Sequence, residues 1–218
     1  MAETVIGRAP DDRVLRVAVT GITASGKSSI ATALTEAVNA AGVFCLRLPV
    51  DGFHNPREVR YRRGRESAEG YYRDAYDYDS LIRHVLRPLG PGGDCTYVQR
   101  TFDLEAETSV WPQPMRAERG SIAVLDASFL LRPEIRDLFD YRVFVHTSFE
   151  VAEQRGVERD QAALGGPDEA RRLYRQRYHE AQRIYFSEAQ PWKHADALVV
   201  NEYPEQPILF FRSAATKP

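Results

Sequence analysis

Apolar positions along this chain fall into short continuous runs separated by stretches at helical spacing. Val14–Thr20 (VLRVAVT) is a β-rich run ending at Gly21, which predicts a buried first strand. Ile30, Leu34, Ala37, Val38 and Ala41 then recur at helical spacing, and Gly42 is placed to stop that helix. Val43–Val50 predicts a second strand closing at Asp51. Ile122–Leu125, Val143–Val145 and Ala197–Val200 predict three more strands. Phe149–Asp160 and Asp168–Phe186 predict helices divided by Leu164-Gly165-Gly166-Pro167.

The middle of the chain reads differently. His54–Asp79 is rich in Arg, Tyr, Gly and Asp without a sustained apolar period, so it is expected to leave the core. Ser80–Leu86 predicts a short helix, Pro88–Gly93 a turn, and Thr96–Leu104 with Thr108–Trp111 a small hairpin. Strands alternating with helices define an α/β fold, a mostly parallel sheet covered on both faces. Ligands of such sheets bind at the carboxyl ends of the strands. Gly21, Asp51, Asp126 and His146 all follow predicted strands and are expected to converge on one edge. One domain is expected over 1–218, with an acceptor-side excursion at about 52–111 and a lid at about 149–178.

Composition narrows the function. The 29 Lys+Arg nearly balance the 31 Asp+Glu, a net charge of -2. That argues against nucleic acid or an anionic membrane as partner and for a small-molecule enzyme. Cys45 and Cys95 lack metal-ligand spacing, Met1–Pro10 lacks an apolar signal core, and no run reaches membrane-spanning length. A soluble cytoplasmic protein is expected. Lysine occurs only at Lys27, Lys193 and Lys217, so a lysine inside a glycine loop stands out from an arginine-biased background.

That loop is Gly21-Ile22-Thr23-Ala24-Ser25-Gly26-Lys27-Ser28, which matches G-x-x-x-x-G-K-[ST] between a predicted strand and a predicted helix. Its glycines let the backbone curl so that successive N–H groups face phosphates, and the helix N-terminus adds favourable potential. The expected nucleotide-binding residues are Gly21 through Ser28 together with Ser29. Lys27 is expected at the β- and γ-phosphates of ATP and the Ser28 hydroxyl on Mg²⁺. Asp126, at the end of an apolar strand, is the second candidate metal residue, although an acid there also suits a turn or helix cap. Asp51 could accept the proton of an acceptor hydroxyl, while Asp-Gly is equally a common turn pair. His54 could contact substrate or simply sit on the surface.

Arg155 and Arg159 lie four apart on one predicted helix and share a face. With Arg171, Arg172 and Arg175 they could close over the phosphates, where fixed guanidinium donors are useful. The pattern describes a salt-bridged helix surface with Glu150, Glu153 and Glu158 at least as well, and by itself favours it. Tyr61-Arg62-Arg63-Gly64-Arg65 has the look of a nucleic-acid patch. The acids that follow, from Glu66 to Asp79, fit a substrate-covering loop better.

Taken in order, the glycine loop, Asp51-Gly52-Phe53-His54, Arg73-Asp74-Ala75-Tyr76-Asp77, Arg136-Asp137-Leu138-Phe139 and Arg155 through Asp160 resemble the uridine kinase branch of P-loop kinases. That branch groups with phosphoribulokinase and bacterial pantothenate kinase, and the resemblance runs from about Val14 to Asn201. It implies ATP and Mg²⁺, Asp51 as general base, Lys27, Arg155 and Arg159 near the transferred phosphoryl group, and frequent assembly into homo-oligomers. It also implies an acceptor site that includes Phe53, His54, Tyr76 and the pair Phe102-Asp103. Four positions depart from the family pattern. Asp126-Ala127 stands for an acid followed by Gly, Gly156 for a lid arginine, Leu164-Gly165-Gly166-Pro167 for an Arg-Gly-Arg segment, and Glu107 for a base-reading His.

The expected activity is phosphorylation of a primary hydroxyl, first that of uridine, cytidine or a related nucleoside at its 5′ position. The alternative is a sugar or pantothenate, since Asp-Gly-Phe-His also resembles relatives directed at those acceptors. A GTP switch would need a guanine-reading Asn-Lys-x-Asp motif, which the sequence does not contain. A P-loop NTPase serving a larger assembly fits the charge balance and the Asp51–Asp79 excursion less well.

Overall fold

The computed structural model describes residues 1–212. A short helix, α1 (Ala2–Ile6), leads to the first core strand, β1 (Leu15–Gly21), every residue of which is buried. Leu15, Val17 and Val19 share one layer with Ala31, Leu34 and Val38 of α2 (Lys27–Ala40), while Ala18 joins the opposite layer. Alternate residues of a strand point to opposite faces, so a continuous apolar run means cover on both sides. Arg16 interrupts that run without cost to the reading. It is buried, with its Nε 2.9 Å from Asp140 Oδ2 and its Nη1 donating to the Leu86 carbonyl. Gly42, at φ 84°, follows the end of α2 as expected, although Ala37 proves exposed.

The second strand, β2 (Cys45–Pro49), stops earlier than predicted. Pro49 has no N–H to extend a ladder, and Val50–Phe53 close into a tight 3₁₀ turn that carries Asp51. Next come α3 (Arg57–Arg60), α4 (Ala68–Asp74) and α5 (Tyr78–Leu81). The last runs through a π-helical turn into α6 (Arg87–Leu89). The segment expected to leave the core does not do so entirely: Tyr72, Ala75 and Tyr76 are buried in the main apolar cluster. Tyrosine hides this from a polarity scan, because its ring buries while its hydroxyl keeps a partner.

The predicted hairpin is two small antiparallel ladders. β3 (Thr96–Tyr97) pairs with the last of four short strands, and β4 (Phe102–Asp103) pairs with β5 (Thr108–Ser109) inside it. The partner of β3 is β6 (Met115–Arg116). The chain then returns to the core as β7 (Ile122–Ala127) and β8 (Tyr141–His146), followed by α7 (Phe149–Leu164) and α8 (Pro167–Leu173). Gly165 at φ 91° and Gly166 at φ 112° make the break between these helices. A π turn at Tyr174–His179 continues α8 into α9 (Glu180–Ala189), and β9 (Ala197–Val200) and β10 (Ile208–Phe211) end the sheet.

The six-stranded sheet has the order β10-β9-β8-β1-β7-β2 and is parallel except for the antiparallel pair β9–β10. The chain thus forms the mostly parallel, doubly covered α/β sheet that was expected. The additions are α1 and the edge strand β10, both short. β1 lies between β7 and β8, and the crevice above such a central strand is where this architecture places its ligands.

Candidate active site

The glycine loop leaves the carboxyl end of β1 and enters α2. Gly26 adopts φ 86° and heads the helix with no side-chain cap, so the first-turn N–H groups of α2 are left to an external partner. A Cβ at Gly26 would also run into the side-chain amide of Asn201. That amide donates to the Ser25 carbonyl at 2.7 Å, and the Thr147 hydroxyl donates to the same carbonyl at 3.1 Å. Ala24 takes φ 64°, a left-handed conformation uncommon for alanine. The loop is therefore fixed from behind by the ends of β8 and β9, and within it the Ser25 N–H donates to the Ile22 carbonyl at 3.1 Å.

Lys27 begins α2, and its Nζ lies 3.4 Å from the Ile22 carbonyl. Burial lowers its pKa. The Asp51 carboxylate is the foremost opposing charge, and Asp126 and Asp160 add to it. The four groups thus share one electrostatic neighbourhood. The Ser28 hydroxyl donates to Asp126 Oδ2 at 2.7 Å. Asp126 sits within β7 in register with Val19, and Arg47 of β2 grips both its oxygens, at 2.9 and 3.0 Å. A hydroxyl beside a carboxylate is an oxygen donor set suited to Mg²⁺, which takes few protein ligands and completes its shell with phosphates and water. Among the described residues no cluster of three or more His, Cys, Asp or Glu could hold a metal alone.

Beside the loop lies a cavity of about 260 Å³, bordered by Thr23, Asp51, His54, Tyr76, Arg159 and Arg177 among others. Tyr76 donates to Asp51 Oδ1 at 3.3 Å, and His54 Nδ1 lies 2.9 Å from the Asp51 carbonyl. Burial and then the Asp51 charge push the Tyr76 phenol well up, so it stays a donor. Burial pushes His54 down, which keeps its ring neutral near pH 7. Thr23 of the loop and Tyr71 of α4 share a hydrogen bond of 3.3 Å that joins the cavity to the phosphate cradle. Such an arrangement can hold a hydroxyl between a carboxylate and a row of phosphate-facing N–H groups.

The predicted site residues divide. Asp51, His54, Tyr76, Thr23 and Arg159 border this one cavity, and Lys27 does not line it but feels the Asp51 charge. Phe53 and Phe102 do not. Both are buried, Phe53 in the main apolar cluster, because aromatic rings after a strand end are drawn to the core. Asp103 turns away to cap the backbone N–H groups of Glu105 and Ala106 and to pair with Arg100. Leu104 borders the cavity in their place. Arg155 donates to the carbonyls of Asn201 and Glu202, so it braces the segment behind the glycine loop. Arg171 and Arg175 bind Glu153, and Arg172 binds Glu66 and Glu169, which is the salt-bridged surface the pattern favoured. His146 is exposed at the end of β8, outside the cavity.

Arg159 is held differently. Its Nε donates to Asp160 at 2.7 Å, and the Tyr174 hydroxyl donates to the same carboxylate at 2.7 Å. Burial works to raise the Asp160 carboxyl, but these hydrogen bonds outweigh it and hold the group low. Gly156, where the family pattern has an arginine, is filled by Tyr174. A Cβ at Gly156 would lie inside the tyrosine ring. Residues that sequence reasoning missed are Arg47, Arg60, Tyr71, Arg177, Tyr178 and Asn201, while Tyr61, read as part of a substrate-covering loop, does border the cavity. Only Asn201, directly after a predicted strand, carried a signal, the same strand-end rule that found Asp51.

A parallel sheet that feeds a glycine-lined phosphate cradle from its central strand, with a carboxylate-bearing cavity beside it, defines a P-loop phosphotransferase. A model of the phosphoribulokinase/uridine kinase family matches residues 16–170, and the chain belongs to that family. Uridine kinases from Ligilactobacillus salivarius (strain UCC118) and Latilactobacillus sakei subsp. sakei (strain 23K) are 22% and 26% identical over 151 and 152 residues. These spans cover 69% and 68% of this chain and 68% of each relative. Among solved structures, a protein described as a possible uridine kinase from Bacillus stearothermophilus aligns with a TM-score of 0.69 at 21% identity. That alignment covers 90% of this chain and 94% of the other. Family members are kinases, and this chain is an ATP-dependent phosphotransferase with a small-molecule substrate. No helix among the described residues is long and apolar enough to cross a membrane.

Proposed function

We propose that this kinase transfers the γ-phosphoryl group of ATP to a primary hydroxyl of a compact polar acceptor bound in the Asp51 cavity. The supporting observation is the shared neighbourhood of Lys27, Asp51 and Arg159, between the phosphate cradle and that cavity. ATP lies with its phosphates over Gly21–Ser28. The acceptor hydroxyl is held by Asp51, which takes its proton as the oxygen attacks the γ-phosphorus and the β–γ bridging oxygen leaves with ADP. Lys27 and Arg159 face the charge that spreads over the transferring group. Tyr76 and His54 orient the Asp51 turn. Ser28 and Asp126 would hold Mg²⁺, which when bound supplies neutralisation of the phosphate oxygens.

Two acceptor classes suit the cavity, and one observation separates them. Glu107, at the position of the family's base-reading His, has its carboxylate paired with Arg60. A committed carboxylate is a poor reader of a pyrimidine edge, which supports a sugar or a pantothenate-like acceptor over a nucleoside. The similarity to uridine kinases supports the nucleoside. A panel of uridine, cytidine, pentoses, hexoses, glycerate and pantothenate, scored by ADP release with ³¹P detection of the product, tests both. A phosphomonoester on a primary carbon is expected with one class. ADP release that needs no acceptor would overturn the kinase reading in favour of an NTPase.

A further inference from the structure

The acceptor cavity carries three arginines, and two already have carboxylate partners. Arg159 is paired with Asp160, and Arg60 with Glu107. Arg177 forms no ion pair with a carboxylate of the described residues, and its Nε is buried without a hydrogen-bond partner. Aromatic rings hold it instead: its guanidinium carbon lies 5.0, 5.3 and 5.5 Å from the ring centres of Tyr71, Tyr178 and Tyr61. Stacking fixes the plane of a guanidinium but leaves unsatisfied the N–H donors that radiate within that plane.

The other charges nearby do not answer Arg177. The Asp51 carboxylate accepts from Tyr76 and makes no ion pair with Arg177, and Asp160 is bound by Arg159 and Tyr174. Arg177 also borders a second cavity, of about 210 Å³, which includes Glu66 and Glu169. Both of those carboxylates are bound to Arg172, each at 2.6 Å. A cation that is pre-oriented by three rings, left without an anion and opened toward the cavity of Asp51 is built to receive an anion there.

We propose that Arg177 is a specificity residue that reads an oxyanion on the acceptor. The acceptor then carries a carboxylate or a phosphate apart from the hydroxyl it presents to Asp51, and neutral nucleosides and sugars are poor substrates. This deepens the kinase reading above and rests on it for the identity of the cavity. Glu107 fits the same picture, since its pairing with Arg60 neutralises that arginine and leaves Arg177 as the anion reader.

Pairs of acceptors that differ in charge provide the test: D-glycerate against glycerol, pantothenate against pantothenol, and ribulose 5-phosphate against ribulose, with uridine as the neutral nucleoside. The full chain should favour the anionic member of one pair by at least about tenfold in kcat/KM, the scale of one charge-assisted contact. Which pair responds tells carboxylate from phosphate. Arg177→Met should erase the preference mainly through KM, and Arg177→Lys should restore part of it. Preference for a neutral member or for uridine, or an unchanged preference in Arg177→Met, would overturn the proposal. A second measurement needs neither turnover nor a variant that folds. The wild-type protein, its phosphate cradle filled with a non-hydrolysable ATP analogue, is titrated with inorganic phosphate and with acetate while arginine Nε–H signals are followed by NMR. A saturable shift of the Arg177 signal is expected, and no shift removes the anion site. If phosphate shifts Arg177 but no acceptor yields product, the kinase reading falls and the anion site stands.

Discussion

The phosphate cradle and the acceptor cavity lie side by side but are built in opposite ways. The cradle is eight consecutive residues whose chemistry is carried largely by backbone N–H groups, and its shape follows from Gly26 and Ala24 at positive φ. The cavity is assembled from side chains of at least five separate segments: the turn after β2, α3, α4, α7 and the π turn before α9. A backbone site tolerates change around it so long as the turn and helix survive. A side-chain site can change its ligand when one residue changes. The conserved reaction of such a kinase is therefore expected in the first region and its individuality in the second.

The largest effect expected from a single change lies in the cradle. Lys27→Ala should bring turnover down by about 10²–10³ or more, because it removes a half-buried cation from the path of developing negative charge, with no acceptor able to compensate. Thermal melting should stay near wild type. Near-normal turnover in the folded variant would contradict the assignment of the loop. A smaller effect is expected from Gly156→Ala, against the Tyr174 ring that binds Asp160 of the cavity. The added methyl meets the Tyr174 ring, and overpacking of this kind costs about 1–3 kcal/mol. At about 2–4 °C per kcal/mol for a chain of this size, the melting temperature should drop measurably. Turnover should fall too, since Tyr174 holds Asp160, and Asp160 holds Arg159. An unchanged melt would mean that Tyr174 can move aside, and the cavity wall would then be less fixed than its contacts imply.

The smallest effect concerns pH. His179 is buried against Phe149, its Nε2 has no partner, and burial holds its pKa below the ordinary 6.5. The unfolded chain therefore takes up this proton at a higher pH than the fold does. Stability should decline as pH falls below about 6.5 and level off once the folded-state pKa is passed. His179→Phe should flatten that decline in a series of melts between pH 7 and pH 5. An identical slope in the variant would assign the acid sensitivity elsewhere.

How much of this could be read from the sequence follows from the same contrast. Local patterns place β1, α2, β7, β8, α7 and β9, because buried parallel strands are continuous apolar runs and the glycine loop is punctuation. Val43–Val50 was read too long at both ends, since apolarity does not reveal that the ladder starts only at Cys45 and ends at Pro49. The edge strand β10 is itself a four-residue apolar run, Ile208-Leu209-Phe210-Phe211, that was passed over as too short and too close to the end to place, and its Ile208, Phe210 and Phe211 are about half exposed. In the site, strand ends and spacing singled out Asp51 and Lys27, and the structure puts Asp51 on the cavity and Lys27 at the head of α2. Arg177 was not: it is one arginine among several on α8 and the π turn, and only the three rings around it set it apart. Phe53 and Phe102 show the converse: both are buried and border no part of the cavity, because a motif position does not say which way a ring turns.

The central claim is that the two regions act as separable halves of one reaction, phosphates on the loop and acceptor on Asp51. Asp51→Asn tests it most directly, since the amide keeps the size and the hydrogen bond from Tyr76 but is a far poorer proton acceptor. The measurement is the ATP affinity of the variant together with its turnover on the acceptor that the panel identifies. ATP affinity should remain close to wild type while turnover falls by about 10²–10⁴, toward the lower figure if the proton leaves late in a loose transition state. Intact turnover, or ATP binding lost in step with turnover, would contradict the account and return Asp51 to the role of a turn residue.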